Sequence, residues 1–491
     1  MRISPDHPPA LPALRSLVFR LVLLLAALFT GLCLPAAAAD RPNIVYIVAD
    51  DLGWKDVGFH GSDIRTPSID QLAKSGAKLN QFYAQPMCTP TRAALMTGRY
   101  PFRYGLQTVV ILSGQTHGLD KEEWLLPQAL KEAGYQTAIV GKWHLGHGDR
   151  SMWPRQRGFD YQYGPLIGEI DYFTHEQHKV LDWYLNGKPL KEKGYSTTLL
   201  GNAGVRLIDT HDKAKPLYLY LAFNAPHTPY QAPEADLNRY RHIADPARRA
   251  YAASISAMDE QIGRVVAALD RRGMRDNTLI VFQSDNGGVR NAMFAGEGDL
   301  SKTKIPNDNG PYRDGKGSLY EGGTRVVALA NWPGRIPPGT QVDGMLHVVD
   351  MYPTLAKLAG APTTRSKPLD GLDVWATIAQ GQPSPRTEVV YNIEPFRAGI
   401  RQGDWKLIWR TPLPDIAELY DITKDPGEKT DLAASQPAKV LALKQRANEL
   451  ASQQAKPLFL QAEFGAMRQR LHLPPAPVSY THLTLPTNRE V

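Results

Sequence analysis

The sequence is poor in cysteine, with two among 491 residues, Cys33 and Cys88. That excludes a disulfide framework and leaves no cysteine or histidine cluster with zinc spacing. Asn-x-Ser/Thr acceptors are absent, which favours a bacterial exported protein over a lysosomal glycoprotein. Runs of lysine or arginine are absent too. The net charge of +7 is therefore spread out, suiting an anionic partner and giving no support for nucleic acid. No internal repeat is visible.

The N-terminus carries Arg15 and Arg20, the apolar stretch "LVLLLAALFTGLCL" and the small-residue stretch "PAAAAD". The apolar stretch is short for a membrane span and no stop-transfer pattern follows, so residues 1–39 read as a secretory signal cleaved near Ala39. No stable membrane insertion is expected, and the destination is the bacterial periplasm or the medium. Cleavage removes Cys33 and leaves Cys88 as the single cysteine. With 43% hydrophobic and 21% charged residues, the rest has ample core for a large domain with an appendage. Residues 479–491, around "YTHLTLPTNREV", follow a Pro-rich stretch without periodicity and read as a non-native tail.

Between these ends, strands and helices alternate. "RPNIVYIVAD", "YQTAIVG", "LYLYLAFN", "NTLIVFQSDNG" and "RVVALANWP" read as strands. "TPSIDQLAKSGAKL", "LPQALKEAG", "RAYAASISAMDEQIGRVVAALDRRG" and "DMYPTLAKLAG" read as helices. The alternation predicts an α/β fold with a largely parallel sheet flanked by helices, over residues 40–375. After a "GQPSPRTE" linker, "RAGIRQGDWKLIWR" and "ELYDITKDPGEKTDL" predict antiparallel strands, and "AKVLALKQRANELASQQ" a helix. These make a smaller α+β domain over residues 385–475.

In an open α/β sheet, ligands bind outside the carboxyl ends of the strands. There the sequence sets Asp50 and Asp51, Lys142 and His144, His227, and Asp285 and Asn286. Three carboxylates and an amide form an all-oxygen set that suits a hard divalent ion such as Ca²⁺. Helix capping and turn formation are the alternative for Asp and Asn taken singly. Likewise an isolated histidine is more often a hydrogen-bonded core residue, and a lysine a surface ion-pair member. Four strand ends supplying such groups together favour a site.

"TPTRAALMTG" predicts a short helix capped by Thr89, with Pro90 in first position and Gly98 at its end. Cys88 then lies at the positive end of a helix dipole, one turn before Arg92. A small buried residue is the commonest fate of a free cysteine. A thiolate nucleophile of the tyrosine-phosphatase kind needs more than the three residues found between Cys88 and Arg92.

"CTPTR" resembles the maturation signature of type I sulfatases, within the alkaline-phosphatase superfamily. "GYQTAIVGKWH" is similar to that family's second signature, and "DD", "APH", "SDNGG" and "KGSLYEGGTR" stand in the family's order. "TGRYPFRYGLQ" has an arylsulfatase B-like flavour. The resemblance runs from about residue 41 to about residue 440. Thr91 is a conservative departure, at a position where serine is commoner.

The resemblance implies that a maturation enzyme, formylglycine-generating or equivalent, oxidises Cys88 to formylglycine. The hydrated aldehyde then attacks sulfur through one hydroxyl and expels sulfate through the other. It further implies Ca²⁺ held by Asp50, Asp51, Asp285, Asn286 and the modified Cys88. Arg92 and Lys142 would hold the hydrate and His144 would take its proton. His227 and Lys316 would bind sulfate and protonate the leaving alcohol. The implied activity is sulfate-ester hydrolysis on a sugar or sulfated glycan. Phosphoester or phosphonate monoester hydrolysis at the same site, and sulfated-glycan binding without catalysis, remain the alternatives.

Overall fold

The seven residues of strand β1, Asn43–Ala49, six of them apolar, are almost wholly shielded from solvent. Their alternate side chains enter two different cores. Ile44, Tyr46 and Val48 join one, and Val45, Ile47 and Ala49 the other. A strand covered on both faces has to be apolar throughout rather than alternating. The computed structural model describes residues 41–294, 305–411 and 414–471. The expected signal segment and the tail at 479–491 lie outside the described residues.

The remaining strands of the large sheet are β2 Ala77–Leu79, β3 Gln136–Gly141, β4 Tyr161–Gly164, β5 Tyr184–Leu185, β6 Lys188–Pro189, β7 Leu217–Ala222, β8 Thr278–Ser284, β9 Ala328–Asn331 and β10 Thr340–Val342. Their order across the sheet is β10-β2-β9-β8-β1-β7-β3-β4-β5-β6. The central run β8-β1-β7-β3-β4 is parallel. Antiparallel pairs flank it, β9 against β8 on one side and β5 against β4 on the other. The α/β expectation holds, with helices on both faces. Helices α1 Pro67–Lys74, α4 Ser196–Thr210 and α5 Pro246–Arg271 pack on one core. Helices α2 Cys88–Thr97, α3 Leu126–Glu132 and α6 Met351–Leu358 pack on the other.

The first predicted helix ends at Lys74, just before Gly76, and the residues that follow form β2, where Ala77 and Lys78 pair with Ala330 and Leu329 of β9.

The C-terminal strands β11 Glu388–Ile393, β12 Arg397–Gln402, β13 Trp405–Arg410 and β14 Ile416–Asp421 form an antiparallel meander. Helix α7, Pro437–Ala451, contributes Leu443, Ala447 and Leu450 to the same core as Val390, Ile400 and Leu407. That core is continuous with the α2 side of the large sheet, and the described residues from Pro42 onward make one compact unit. The "GQPSPRTE" stretch is tied down by Arg386, whose guanidinium donates to the Asp350 carboxylate and to the Tyr100 hydroxyl.

Candidate active site

The four central strands end in step. Ala49 pairs with Ser284, and Ala222 with Gly141. Ladder-like bonds continue past the ends, from Asp285 N–H to Ala49 O at 3.0 Å, Asp50 N–H to Ala225 O at 3.1 Å and Lys142 N–H to Ala222 O at 2.8 Å. This register delivers the residues after each strand to one place. Asp51 and His144 then turn their side chains inward through left-handed backbone, at φ 63° and 58°. Such conformations are uncommon outside glycine and cluster at functional sites.

Cys88 is the first residue of α2, so the helix begins two residues earlier than the sequence suggested, with extended Met87 as the cap. Thr89 does not cap the helix through its side chain. Its hydroxyl donates to His144 O at 3.0 Å and accepts from Ile111 N–H at 3.1 Å, joining three segments. The Cys88 thiol is buried and lies 3.4 Å from Asp50 Oδ1. Burial, reinforced by the Asp285 carboxylate, pushes its pKa well above the ordinary thiol value. That direction runs against a thiolate nucleophile.

Three carboxylates face three cations. Arg92 donates to Asp285 Oδ2 through Nε at 3.1 Å and Nη2 at 2.8 Å, Lys142 donates to Asp50, and Lys316 donates to Asp51 Oδ2 at 2.8 Å. Burial alone would raise all three acids. At Asp285 the nearby Arg92, Lys142 and Lys316 outweigh it and hold the pKa at about 2. At Asp51, Lys316 likewise outweighs burial and lowers it. Asp50 is raised to about 7 because burial and the Asp285 charge exceed the pull of Lys142 and Arg92.

The two histidines are neutral and of opposite tautomer. His144 Nε2 lies 3.0 Å from Ile111 O and so carries the hydrogen, leaving buried Nδ1 as a bare acceptor with no partner. Burial, with Lys142 and Arg92, keeps its pKa well below normal. His227 Nδ1 lies 2.7 Å from Thr228 O, which places its hydrogen there and leaves Nε2 to accept from Lys316 at 3.1 Å. Its pKa falls to about 4, from burial and then Lys316.

The donor set fits a divalent cation. Ligand atoms of Asp50, Asp51, Cys88 and His227 lie within 4.8 Å of one another. Asn286 donates to Asp51 Oδ1 at 2.7 Å, while its own side-chain oxygen is buried without a partner among the described residues. An orphaned buried carbonyl beside carboxylates has the chemistry that suits a hard ion. His227 stands closer to this cluster than its expected role required, and Asp285 is drawn towards Arg92.

All ten residues expected from the sequence thus meet at one edge, and Cys88, His144, His227 and Lys316 line one cavity of about 500 Å³. The Sulfatase family model matches residues 42–361 and the N-sulphoglucosamine sulphohydrolase C-terminal model matches residues 312–456. The chain belongs to the type I sulfatase family. As a sulfatase it is similar to Arylsulfatase J of Mus musculus, at 38% identity over 80% of this chain and 66% of that relative. N-acetylgalactosamine-6-sulfatase of Mus musculus is 34% identical over 76% of this chain and 72% of its own length. The solved structure of Ps i-CgsB in complex with k-i-k-neocarrahexaose superposes with a TM-score of 0.79 at 35% identity, covering 88% of this chain and 97% of that one.

The sulfatase cavity also has walls beyond the expected site residues. Residues 109–113, Ile167, Gly168, Met293 and Phe294 line it from loops without periodicity. The aromatic-rich segment "EIDYFTHEQH", residues 169–178, supplies Glu169, Gln177 and His178 to the wall. "WPRQRGFDYQYG" is structural, with Arg157 buried against the carbonyls of Leu119, Asp120 and Glu123. No described helix is long and apolar enough to cross a membrane.

Proposed function

We propose that this sulfatase, exported to the periplasm or medium, hydrolyses sulfate esters on a sugar or sulfated glycan, and that Cys88 works only after enzymatic oxidation to formylglycine. The observation that carries this reading is a thiol buried at a helix N-terminus beside three carboxylate–cation pairs. The hydrated aldehyde would supply a hydroxyl to attack sulfur and a second through which sulfate is released. Asp50, Asp51, Asp285, Asn286 and the modified residue would hold one Ca²⁺, which polarises sulfate oxygens. The similarity to N-acetylgalactosamine-6-sulfatase and to a structure bound to k-i-k-neocarrahexaose supports a saccharide substrate.

The chain's own groups divide the remaining work. Arg92, tied to Asp285, and Lys142, tied to Asp50, place positive charge beside position 88, where negative charge develops. His144, with Nε2–H spent on Ile111 O, has Nδ1 free to accept the proton of the second hydroxyl. His227 is an acceptor at Nε2, so Lys316 is the proton carrier of that pair and the group to protonate the leaving alcohol.

Mass spectrometry of the Cys88 peptide tests the modification. An aldehyde mass is expected in active enzyme, and an unmodified thiol in active enzyme refutes it. Paired aryl sulfate and aryl phosphate esters test the reaction, because a large preference for phosphate would transfer the site to phosphoester chemistry. The ion is tested without activity: Ca²⁺ should raise the melting temperature, and Asn286→Leu should reduce that rise.

A further inference from the structure

A second cavity, of about 440 Å³, opens beside the reaction site. The two share Met87, Val109, Met293, Phe294 and Lys316 as walls, so they form one continuous cleft. A single sugar ester reacting at Cys88 occupies the first cavity and leaves the second empty. The second is floored by Leu319 and Ile408 and carries Tyr320, Arg397 and Arg410. Ile408, Arg397 and Arg410 come from β12 and β13 of the C-terminal sheet.

Both arginines are held ready. Arg397 donates to Gly317 O at 2.8 Å and to Glu394 Oε1 at 2.9 Å. Arg410 donates to Glu418 and, at 3.0 Å, to the Tyr320 hydroxyl. The partner carboxylates are the more buried, at 11% and 14% exposure against 29% and 36% for the arginines. The guanidiniums therefore present the cleft side and the acids stand behind them. A guanidinium has five N–H donors, enough to keep these contacts and still grip an incoming anion. The acid on the same wall, Asp314, has one oxygen engaged by Gly315 N–H at 2.8 Å. Aromatic faces at Phe294 and Tyr320 give the apolar side of a sugar ring something to lie against.

We propose that this second cavity is the subsite for a neighbouring sugar, and that Arg397 and Arg410 bind a sulfate or carboxylate carried by that sugar. The preferred substrate is then an oligosaccharide with at least two anionic groups, one cleaved at Cys88 and one read by the C-terminal sheet. This rests on the sulfated-glycan reading above and extends it to a substrate class.

Calorimetry on the Cys88→Ala protein separates the two claims, since it needs no turnover. Sucrose octasulfate, with two sulfated rings, should bind about 10-fold or more tighter than glucose 6-sulfate, as charge-assisted pairs to a second anion predict. Arg410→Gln and Arg397→Gln should each weaken the octasulfate by roughly 5- to 30-fold and leave glucose 6-sulfate within about twofold. Arg410→Lys, which keeps the charge, should recover part of the loss. Unchanged octasulfate affinity in both glutamine variants, or equal losses for both ligands, overturns the subsite. Separately, absence of sulfate release from 4-nitrophenyl sulfate by matured wild-type enzyme overturns the reaction assignment and leaves an arginine-dependent preference standing.

Discussion

His144 shows how individual contacts set a chemical role. Its backbone carbonyl accepts from Thr89, its Nε2–H is taken by Ile111 O, and Nδ1 is left bare. Its ring also rests on Gly168, where an added β-carbon would stand 2.5 Å from Cε1 and 2.9 Å from Nε2. Gly168→Ala should therefore push the imidazole out of place and lower kcat about 10- to 100-fold, the cost of a misplacement near 1 Å. The melting temperature should stay near that of the parent, because the methyl meets one side chain rather than backbone. A variant with unchanged kcat would show that the ring position is not limiting.

The strand that delivers Lys142 and His144 ends in a close backbone approach. Gly141 has φ 112°, and a β-carbon there would collide with Ala222 O of the neighbouring strand β7. Gly141→Ala combines strained dihedrals with a backbone clash in a two-sided sheet. It should destabilise the fold by more than about 3 kcal/mol in urea unfolding. The central strands were legible because both their faces are buried, which writes long apolar runs into the sequence. The edge strands β5, β6 and β10 were not, since two or three half-exposed residues carry no period. Strand β2 was not legible for another reason, its partner β9 lying some 250 residues away in the chain.

At the scale of the molecule, a buried charge network fastens the C-terminal sheet to the rest. Lys406 of β13 donates to Glu321 at 2.9 Å, which also accepts from the hydroxyls of Tyr83 at 2.8 Å and Tyr391 at 2.9 Å. Glu428 accepts from Glu321 N–H at 2.7 Å, and its other oxygen stands 2.8 Å from Lys406 without hydrogen-bond alignment. Burial opposes ionisation of Glu321, but Lys406, Arg325 and Arg401 outweigh it and hold its pKa at about 2. Its contribution to stability is present above the ordinary glutamate value and is lost as pH falls towards 2. Glu428 is raised to about 7, chiefly by burial, with Lys406 too weak a counterweight. The sign reverses for this acid: its contribution is full below the ordinary value and is lost as pH rises through 7. Glu428→Gln, which resembles the protonated acid, should remove that loss. The variant should gain about 1–3 kcal/mol on the parent between pH 5 and pH 8 by denaturant unfolding, given 1.36 kcal/mol per pKa unit. Parallel pH profiles for parent and variant would assign the dependence elsewhere.

The sequence by itself determined the central strands, the order of the groups at their ends and which ten residues are proposed as the site, because each follows from short-range pattern or from motifs of contiguous residues. Cys88 and Arg92 share one helical turn, and Lys142 and His144 share one strand end. Only the tertiary structure decided the rest: which histidine nitrogen is bare, that Gly168 braces His144, and that a cleft runs from Cys88 to Arg397 and Arg410. Those features depend on contacts between segments far apart in the chain, where no local period or propensity records who the neighbour will be.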